Sequence, residues 1–248
     1  MSSLAAPLLR LALALALAPL LLGVVNRTKA KFGGRRGKPL LQVYFDVAKL
    51  LRKGAVFSTT TTWVFGLGPA LGLAATATAL LLVPQGGLPG LISFNGDFVL
   101  LAYLLAAGRL ATMLAALDTG SSFEGMGASR EAAFSALAEP ALFLALAALA
   151  AQRGGISLQA MLAGSAPGDL AALQPAPALA ALSLFVVLLA ENCRIPVDDP
   201  TTHLELTMVH EVMVLDHGGP DLGLIEYAAA LKLWLYFALV AGVLLPSL

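Results

Sequence analysis

The 248 residues are too apolar for a water-soluble domain: hydrophobic residues make up 58% of the chain and charged residues only 12%, against roughly 25% charged in soluble proteins. With a mean hydropathy of +0.85, this composition predicts an all-α polytopic membrane helix bundle forming a single membrane domain. The formal net charge of zero does not decide orientation, because the placement of Lys and Arg sets it.

Six apolar runs have about the length that a helix needs to cross a bilayer. We predict spans at about 4–25, 63–83, 98–117, 132–151, 178–192 and 225–246. A cleaved signal peptide carries its basic residues before the apolar run. Here the basic residues follow it, so we interpret residues 4–25 as a retained span.

A basic segment follows the first span, and nine of the fifteen bases lie between residues 27 and 53. The positive-inside rule places this segment in the cytoplasm and the N-terminus outside, in the cell's inner (plasma) membrane. Apolar residues recur at helical spacing over 39–53, which predicts a cytoplasmic amphipathic helix on the bilayer surface or against a partner. An ordinary lipid-surface helix held by anionic headgroups is the alternative.

Charged residues also fall inside the predicted spans. Arg109 and Glu139 each lie eight residues from the predicted cytoplasmic face, which is about 12 Å of helix. They could pair, and Lys232 lies at a comparable depth, whereas Glu191 and Glu226 lie near the cytoplasmic mouth. Because a charge at that depth costs a few kcal/mol unless it is paired or hydrated, these residues are candidate functional groups. A static pair that only fixes helix packing is the alternative.

The predicted cytoplasmic loop 191–224 extends to Glu226 as an acidic block, with eight of the fifteen acids, all three histidines and one base, Arg194. His203 and His210 do not have the H-E-x-x-H spacing of a zinc hydrolase, so we predict no metal site. Clustered carboxylates have raised, coupled pKa values, which predicts a proton antenna feeding the buried acids. A solvated acidic loop is the alternative.

The single cysteine, Cys193, limits the redox chemistry of the chain. It excludes an internal disulfide and leaves no cysteine framework for an iron–sulfur cluster or a thiolate-held nickel–iron centre. Any redox chemistry is therefore expected in another chain.

The run ENCRIPVDDPTTHLELTMVHE from Glu191 to Glu211 resembles the signature of the membrane subunit of group 4 energy-converting nickel–iron hydrogenases, of the formate hydrogenlyase type. Those proteins are related to the heel subunit of respiratory complex I. The resemblance continues in GRRG at 34–37, LLQ at 40–42, LDTGSSF at 117–123, MGASRE at 126–131 and AEP at 138–140. Lys38, Val43 and Gly54 depart from the family pattern, and relatives have about eight spans, two more than we predict.

The resemblance implies a non-catalytic subunit that anchors the hydrophilic hydrogenase arm and relays protons, or sodium, into antiporter-like membrane subunits. The nickel–iron centre and iron–sulfur clusters would belong to the partner large and small subunits, with no cofactor in this chain. Combined with the buried charges, it gives a predicted proton relay of Arg109, Glu139, Glu191, Asp198, Asp199, Glu205, His210, Glu211, Glu226 and Lys232. The predicted partner interface consists of Arg35, Arg36, Gln42, Asp46, Lys49, Arg194 and His203.

Three other functions stay open at this point. A complex I heel subunit would use the same loops to line a quinone cavity. A stand-alone secondary transporter would carry internal repeats and paired broken helices, and the sequence has no such repeat. A passive anchor would move no ion. No nucleic-acid partner is expected.

Overall fold

The computed structural model describes residues 5–85, 89–162, 175–198 and 208–245. Helices dominate these residues: α1 (Ala5–Phe32), α2 (Gln42–Leu50), α3 (Trp63–Leu82), α4 (Asp97–Asp118), α5 (Ser122–Arg153), α6 (Leu158–Leu162), α7 (Pro175–Glu191), α8 (His210–Met213) and α9 (Gly219–Leu244). Five of them, α1, α3, α4, α5 and α9, are long and apolar enough to cross a membrane, and α7 is a shorter apolar helix. The all-α membrane bundle predicted from composition is confirmed.

The long helices alternate in direction. The C-terminal ends of α1, α4 and α7 meet the N-terminal ends of α3, α5 and α9 at one end of the bundle, where α2 and α8 also pack. We call this end, which carries the basic segment and the acidic block, the charged end. At the opposite end, Asp97 is fully buried, and its Oδ1 accepts a hydrogen bond from the Leu158 amide at 2.6 Å.

Helix α9 is the central element of the bundle. It packs against α1, α2, α3, α6 and α7, and its Leu231, Leu235 and Leu239 side chains have no exposed surface. A long helix in contact with so many others can place one residue on each of several interfaces. This explains why α9 contributes to two separate cavities.

Helices α3 and α4 share an extensive contact, and glycines allow their backbones to approach each other. A Cβ atom on Gly68 would lie 2.7 Å from the Cβ of Ala115, so any larger residue would push the helices apart. The carboxylate of Asp118 then caps the start of α3, accepting from the Thr62 amide at 2.7 Å and the Phe65 amide at 3.2 Å. The α3–α4 pair is therefore fixed at its charged end.

The helix bounds differ from the predicted spans mainly at the charged end. Helix α5 begins at Ser122 and not at 132, α9 begins at Gly219 and not at 225, and α2 is shorter than the predicted 39–53. Glu124 in the first turn of α5 favours the early start, because acids interact well with a helix N-terminus. Part of the predicted acidic loop is helical, as α8 and the start of α9.

Candidate functional site

Four charged side chains from four helices meet inside the bundle. The Arg109 guanidinium on α4 donates to Glu139 Oε1 on α5 at 2.6 Å and also to Glu191 at the end of α7. Lys232 Nζ on α9 lies 3.7 Å from Glu191 Oε2. We call Arg109, Glu139, Glu191 and Lys232 the four-charge network; its two cations and two anions balance, as charges at membrane depth require.

The Arg109–Glu139 pair predicted from depth is confirmed, but Glu191 is deeper than expected. It is only 5% exposed and meets Arg109, where the sequence placed it at the mouth. Helix α7 ends at Glu191, next to the predicted end of the span at about 192, and Cys193 adopts a left-handed conformation with φ of 46°. Arg194 N donates to Leu189 O at 2.8 Å and Cys193 N to Ala190 O at 3.1 Å, the two bonds of a Schellman helix end.

The members of the network differ in exposure. The side chains of Arg109 and Glu191 are 6% and 3% exposed, whereas that of Glu139 is 41% exposed. Glu139 therefore reaches the outer surface of the bundle while its carboxylate remains paired with Arg109. The network runs from the interior of the bundle to its outer surface.

A cavity of about 70 Å³, the inner cavity, adjoins this network between α3, α4, α5, α8 and α9. A water molecule needs roughly 10–15 Å³ of such space, so the inner cavity has room for several waters. Its polar lining consists of Thr76, Arg109, Thr112, Glu131, His210 and Lys232. A short water chain there can connect His210 to the network.

Glu131 is the acid of this site that the sequence reasoning missed. It is 6% exposed, and its carboxylate lies 3.9 Å from the Cys193 sulfur. Glu131 lies immediately before the predicted span 132–151, where a surface position was expected. The signal that could have found it is the seven-residue spacing of Glu124, Glu131 and Ala138, which all lie on the buried face of α5.

A second cavity, of about 240 Å³, lies on the other side of α9, between α1, the segment before α2, and α2. We call it the α1–α2 cavity. Its polar lining is Asn26, Lys38, Gln42, Asp46 and Glu226, and its apolar lining includes Leu22, Val43, Val47, Leu50 and Leu222. Gln42 Nε2 donates to Asp46 Oδ1 at 2.8 Å. Gln42 and Asp46, predicted to contact a partner, thus line a cavity.

Arg194, predicted for the partner interface, and His210, predicted for the relay, are both surrounded by other charged side chains. Arg194 faces the charges of Glu211 and Glu226, and burial lowers its pKa. Burial, together with Lys232 and Arg194, lowers the pKa of His210 to about 4, so its imidazole is neutral at pH 7.

Asp198 has a clear local contact. It is 3% exposed, and its Oδ2 accepts the Val209 amide at 3.0 Å, which ties the end of the segment after α7 to the start of α8. Asp199, Glu205 and His203, which we predicted for the relay and the partner interface, lie outside the described residues.

Three predicted partner-contact residues lie on the surface. Arg35, Arg36 and Lys49 are exposed at the charged end, next to the apolar side chains of Phe32 and Phe45, which are 89% and 60% exposed. Within the described ranges, no three His, Cys, Asp or Glu side chains are grouped so that they could hold a metal ion.

Comparison with known proteins shows which family the sequence belongs to. Residues 4–247 match the family described as NADH dehydrogenase. Formate hydrogenlyase subunit 4 of Escherichia coli K12 is 33% identical over 244 residues, covering 97% of this chain and 77% of that protein. Hydrogenase-4 component C of the same organism is 31% identical over 232 residues, covering 94% and 72%.

A solved structure supports the fold assignment. The membrane-bound sulfane sulfur reductase, an archaeal respiratory membrane complex, contains a chain that superposes with a TM-score of 0.80 at 22% identity, covering 99% of this chain and 80% of its own. At that identity the match supports the fold alone. The family match over nearly the whole sequence and the two bacterial relatives agree with the resemblance carried by residues 191–211. The chain belongs to the NADH dehydrogenase family of membrane subunits.

Proposed function

We propose that this chain is the non-catalytic, ion-translocating membrane subunit of a hydrogenase complex. It anchors a hydrophilic arm, whose large and small subunits hold the nickel–iron centre and iron–sulfur clusters, and it relays protons into antiporter-like membrane subunits. The chain spans the plasma membrane with its charged end on the cytoplasmic side and its N-terminus outside. The single observation that carries the relay is the four-charge network beside a cavity that has room for water.

The network suits proton transfer better than static packing. A pair needed only for packing has no use for an adjoining cavity, whereas proton transfer needs water or side chains within hydrogen-bond reach. Protons would enter at the charged end past Glu226, Asp198, Glu211 and His210, with Asp199 and Glu205 contributing from the same loop. They would cross the inner cavity to Glu191 and leave through Glu139.

The exposure of Glu139 indicates where the relay continues. A glutamate side chain that is 41% exposed on a membrane-crossing helix would be costly against lipid. A neighbouring membrane subunit that carries a protonatable side chain or water would cover it at lower cost. The proposed antiporter-like partner therefore packs against α5 at Glu139.

The anchoring role is supported by the exposed surface at the charged end. Arg35, Arg36 and Lys49 combine positive charge with the exposed rings of Phe32 and Phe45. Apolar anchors surrounded by charges are typical of protein interfaces. Arg194 and His203, predicted in the same interface, would contribute from the acidic block.

The names of the relatives support a hydrogenase complex. The two bacterial proteins are named as a subunit of formate hydrogenlyase and a component of hydrogenase-4. At 33% and 31% identity over almost the whole chain, a shared role in complexes of this kind is the simplest inference.

The α1–α2 cavity supports a second candidate, a complex I heel subunit that binds a quinone. Its apolar walls and polar end, at about 240 Å³, suit a ring with two carbonyl oxygens. Quinone-site inhibitors separate the two functions. We expect the purified complex to retain its hydrogen-linked activity at inhibitor concentrations that block quinone reduction by a complex I. Loss of the hydrogen-linked activity at those concentrations would favour the heel subunit.

The experiment that tests the relay uses the assembled complex in sealed vesicles. We expect Glu139→Gln and Glu191→Gln each to abolish most hydrogen-linked proton movement while hydrogenase activity with an artificial acceptor survives. Glutamine keeps the size of the side chain and one oxygen that accepts a hydrogen bond, but it cannot carry a proton. If both variants pumped at the wild-type ratio, the relay assignment would be wrong.

A further inference from the structure

We propose that Glu131 is a further proton-carrying residue of this relay, and that Lys232 is a positioning cation that alternates between Glu131 and Glu191. The inference rests on the proposed function, because both residues belong to the same site. Glu131 would connect His210 and the charged end to the four-charge network. Lys232 would stabilise the ionised form of whichever acid it contacts.

The surroundings of Glu131 are those of a transfer residue and not of a structural ion pair. Its side chain is buried and lines the inner cavity with His210 and Lys232. Within the described part of the chain, no salt bridge holds it, although Lys232, Glu191 and Arg109 all act on its charge. An acid that is buried, next to space for water and not held by a cation can take up and release a proton without breaking a pair.

The contact of Lys232 with Glu191 is loose. Its Nζ lies 3.7 Å from Glu191 Oε2, close to the limit of about 4 Å for an ion pair. Arg109 already donates to the other oxygen of Glu191. The Lys232 side chain is 24% exposed, and a lysine on its four-carbon stem reorients more readily than the planar fork of an arginine. Lys232 can therefore turn across the inner cavity towards Glu131.

The proposed cycle conserves protons and charge. A proton that arrives through His210 and cavity water converts the Glu131 carboxylate to the acid, which leaves Lys232 on Glu191. Water then carries the proton from Glu131 to Glu191, so Glu131 regains its negative charge and Lys232 turns to it. When Glu191 passes the proton on to Glu139, Lys232 returns. The observed Lys232–Glu191 contact corresponds to the first of these arrangements.

Glu124 provides a matched control on the same helix. It lies seven residues before Glu131 on the same buried face and is 1% exposed. It does not line the inner cavity, and its Oε1 accepts the Asp216 amide at 3.2 Å. The same substitution at this position removes an equally buried carboxyl from the bundle without touching the proposed path.

The test measures hydrogen-linked proton uptake by the assembled complex in sealed vesicles, normalised to activity with an artificial acceptor. We expect Glu131→Gln to slow uptake about tenfold or more, since losing one acid–base group commonly costs that much. Glu131→Asp should recover most of the rate, and Glu124→Gln should match the wild type. Equal rates in Glu131→Gln and Glu124→Gln would overturn the assignment of Glu131.

Infrared difference spectra test the role of Lys232 even where Glu131→Gln fails to assemble. A carboxylic-acid band that changes during turnover and shifts in Glu131→Asp belongs to Glu131. We expect Lys232→Gln to move that band, because the cation no longer alternates between the two acids. A band identical to that of the wild type would overturn the alternation, as would the absence of any band that shifts in Glu131→Asp.

The outcomes separate this inference from the proposed function. If Glu139→Gln and Glu191→Gln stop proton movement but Glu131→Gln does not, the relay stands and Glu131 is not part of it. If Glu139→Gln and Glu191→Gln both pump normally, the proposed function itself fails, whatever Glu131→Gln does.

Discussion

The two cavities that contact α9 differ in whether the charged residues around them form salt bridges. The inner cavity is the smaller, at about 70 Å³, and it adjoins Arg109, Glu139, Glu191 and Lys232, which are all in ion pairs. The α1–α2 cavity is larger, at about 240 Å³. Its Lys38, Asp46 and Glu226 form no salt bridge within the described part of the chain. Both cavities use residues of α9. The four-charge network beside the inner cavity is paired, whereas Glu131 in that cavity and the acids of the α1–α2 cavity form no salt bridge within the described residues.

The difference follows from depth. The charges beside the inner cavity lie well inside the bundle, where an unpaired ion is costly, whereas the α1–α2 cavity lies at the charged end next to the basic segment. Pairing fixes geometry, which suits transfer between defined atoms. Unpaired charges near a surface can reorganise, which suits entry of ions or contact with another molecule. We therefore propose that protons enter at the α1–α2 cavity and are transferred between acids beside the inner cavity.

Removing Arg109 should break this comparison most strongly. Arg109→Ala leaves Glu191 buried beside a hole with only a loose contact to Lys232, and breaking a buried pair on one side costs about 3–5 kcal/mol. We expect a large loss of stability, measured by denaturation of the full chain in detergent. Arg109→Gln combined with Glu139→Gln should lose less, because the two charges that remain, Glu191 and Lys232, are opposite and in contact. Equal losses in the single and double variants would contradict the account of pairing.

The pH dependence of His217 gives a reference outside both cavities. His217 is 4% exposed and stacks on Phe65 with ring centroids 3.9 Å apart. Burial lowers its pKa from 6.5 to about 4. Between those values the unfolded chain binds a proton that the folded chain does not. Stability should therefore fall as the pH drops from 6.5 towards 4, with a slope of up to about 1.4 kcal/mol per pH unit.

The control for that slope is His217→Phe, which keeps a flat ring against Phe65 and cannot be protonated. The free energy of unfolding, measured at several pH values, should change less with pH for this variant than for the wild type over the same window. An unchanged difference between the two proteins at pH 7 and pH 5 would mean that His217 does not titrate as proposed.

A methyl group added at Gly219 should disturb the start of α9, the helix that both cavities share. Gly219 begins α9 with φ of 54°, and a Cβ there would lie 2.7 Å from the Gly54 carbonyl oxygen. We expect Gly219→Ala to destabilise the chain by about 1–3 kcal/mol, the usual cost of such backbone strain. Gly218 is the matched control, because a Cβ there meets nothing within 4 Å. Gly218→Ala should be close to neutral in the same denaturation assay.

Glu226→Gln should have the smallest effect. Glu226 lines the α1–α2 cavity, at the proposed entrance, where Glu211 and Asp46 act on the same region. We expect proton uptake to slow by less than about fivefold, equivalent to under about 1 kcal/mol of barrier. A loss as large as that of Glu191→Gln would show that the two cavities lie in series on one obligatory path.

The sequence predicted the membrane bundle and one of its central pairs. Helical rise alone placed Arg109 and Glu139 at equal depth, and they pair as expected. Glu191 was expected at the cytoplasmic mouth because the predicted span ended beside it. Helix α7 does end there, but this end lies inside the bundle, where Glu191 is only 5% exposed. A non-glycine residue in the left-handed conformation at Cys193 ends the helix, and the residue type gives little warning of it.

Glu131 and the division of the acids between two cavities could not be predicted from span boundaries. Apolar runs locate the part of a helix that contacts lipid, but α5 continues beyond its apolar run to Ser122. Which cavity a residue of α9 lines also depends on how α9 packs against α1, α2 and α3. Gln42 and Asp46 illustrate this, since they were predicted only as partner contacts and also line the α1–α2 cavity.

The most direct test of the central claim is the number of protons moved per hydrogen turned over by the assembled complex in sealed vesicles, compared between the wild type and Glu191→Gln. The account predicts that the ratio falls close to zero in the variant while hydrogenase activity with an artificial acceptor stays near the wild-type level. A wild-type ratio in Glu191→Gln would contradict it.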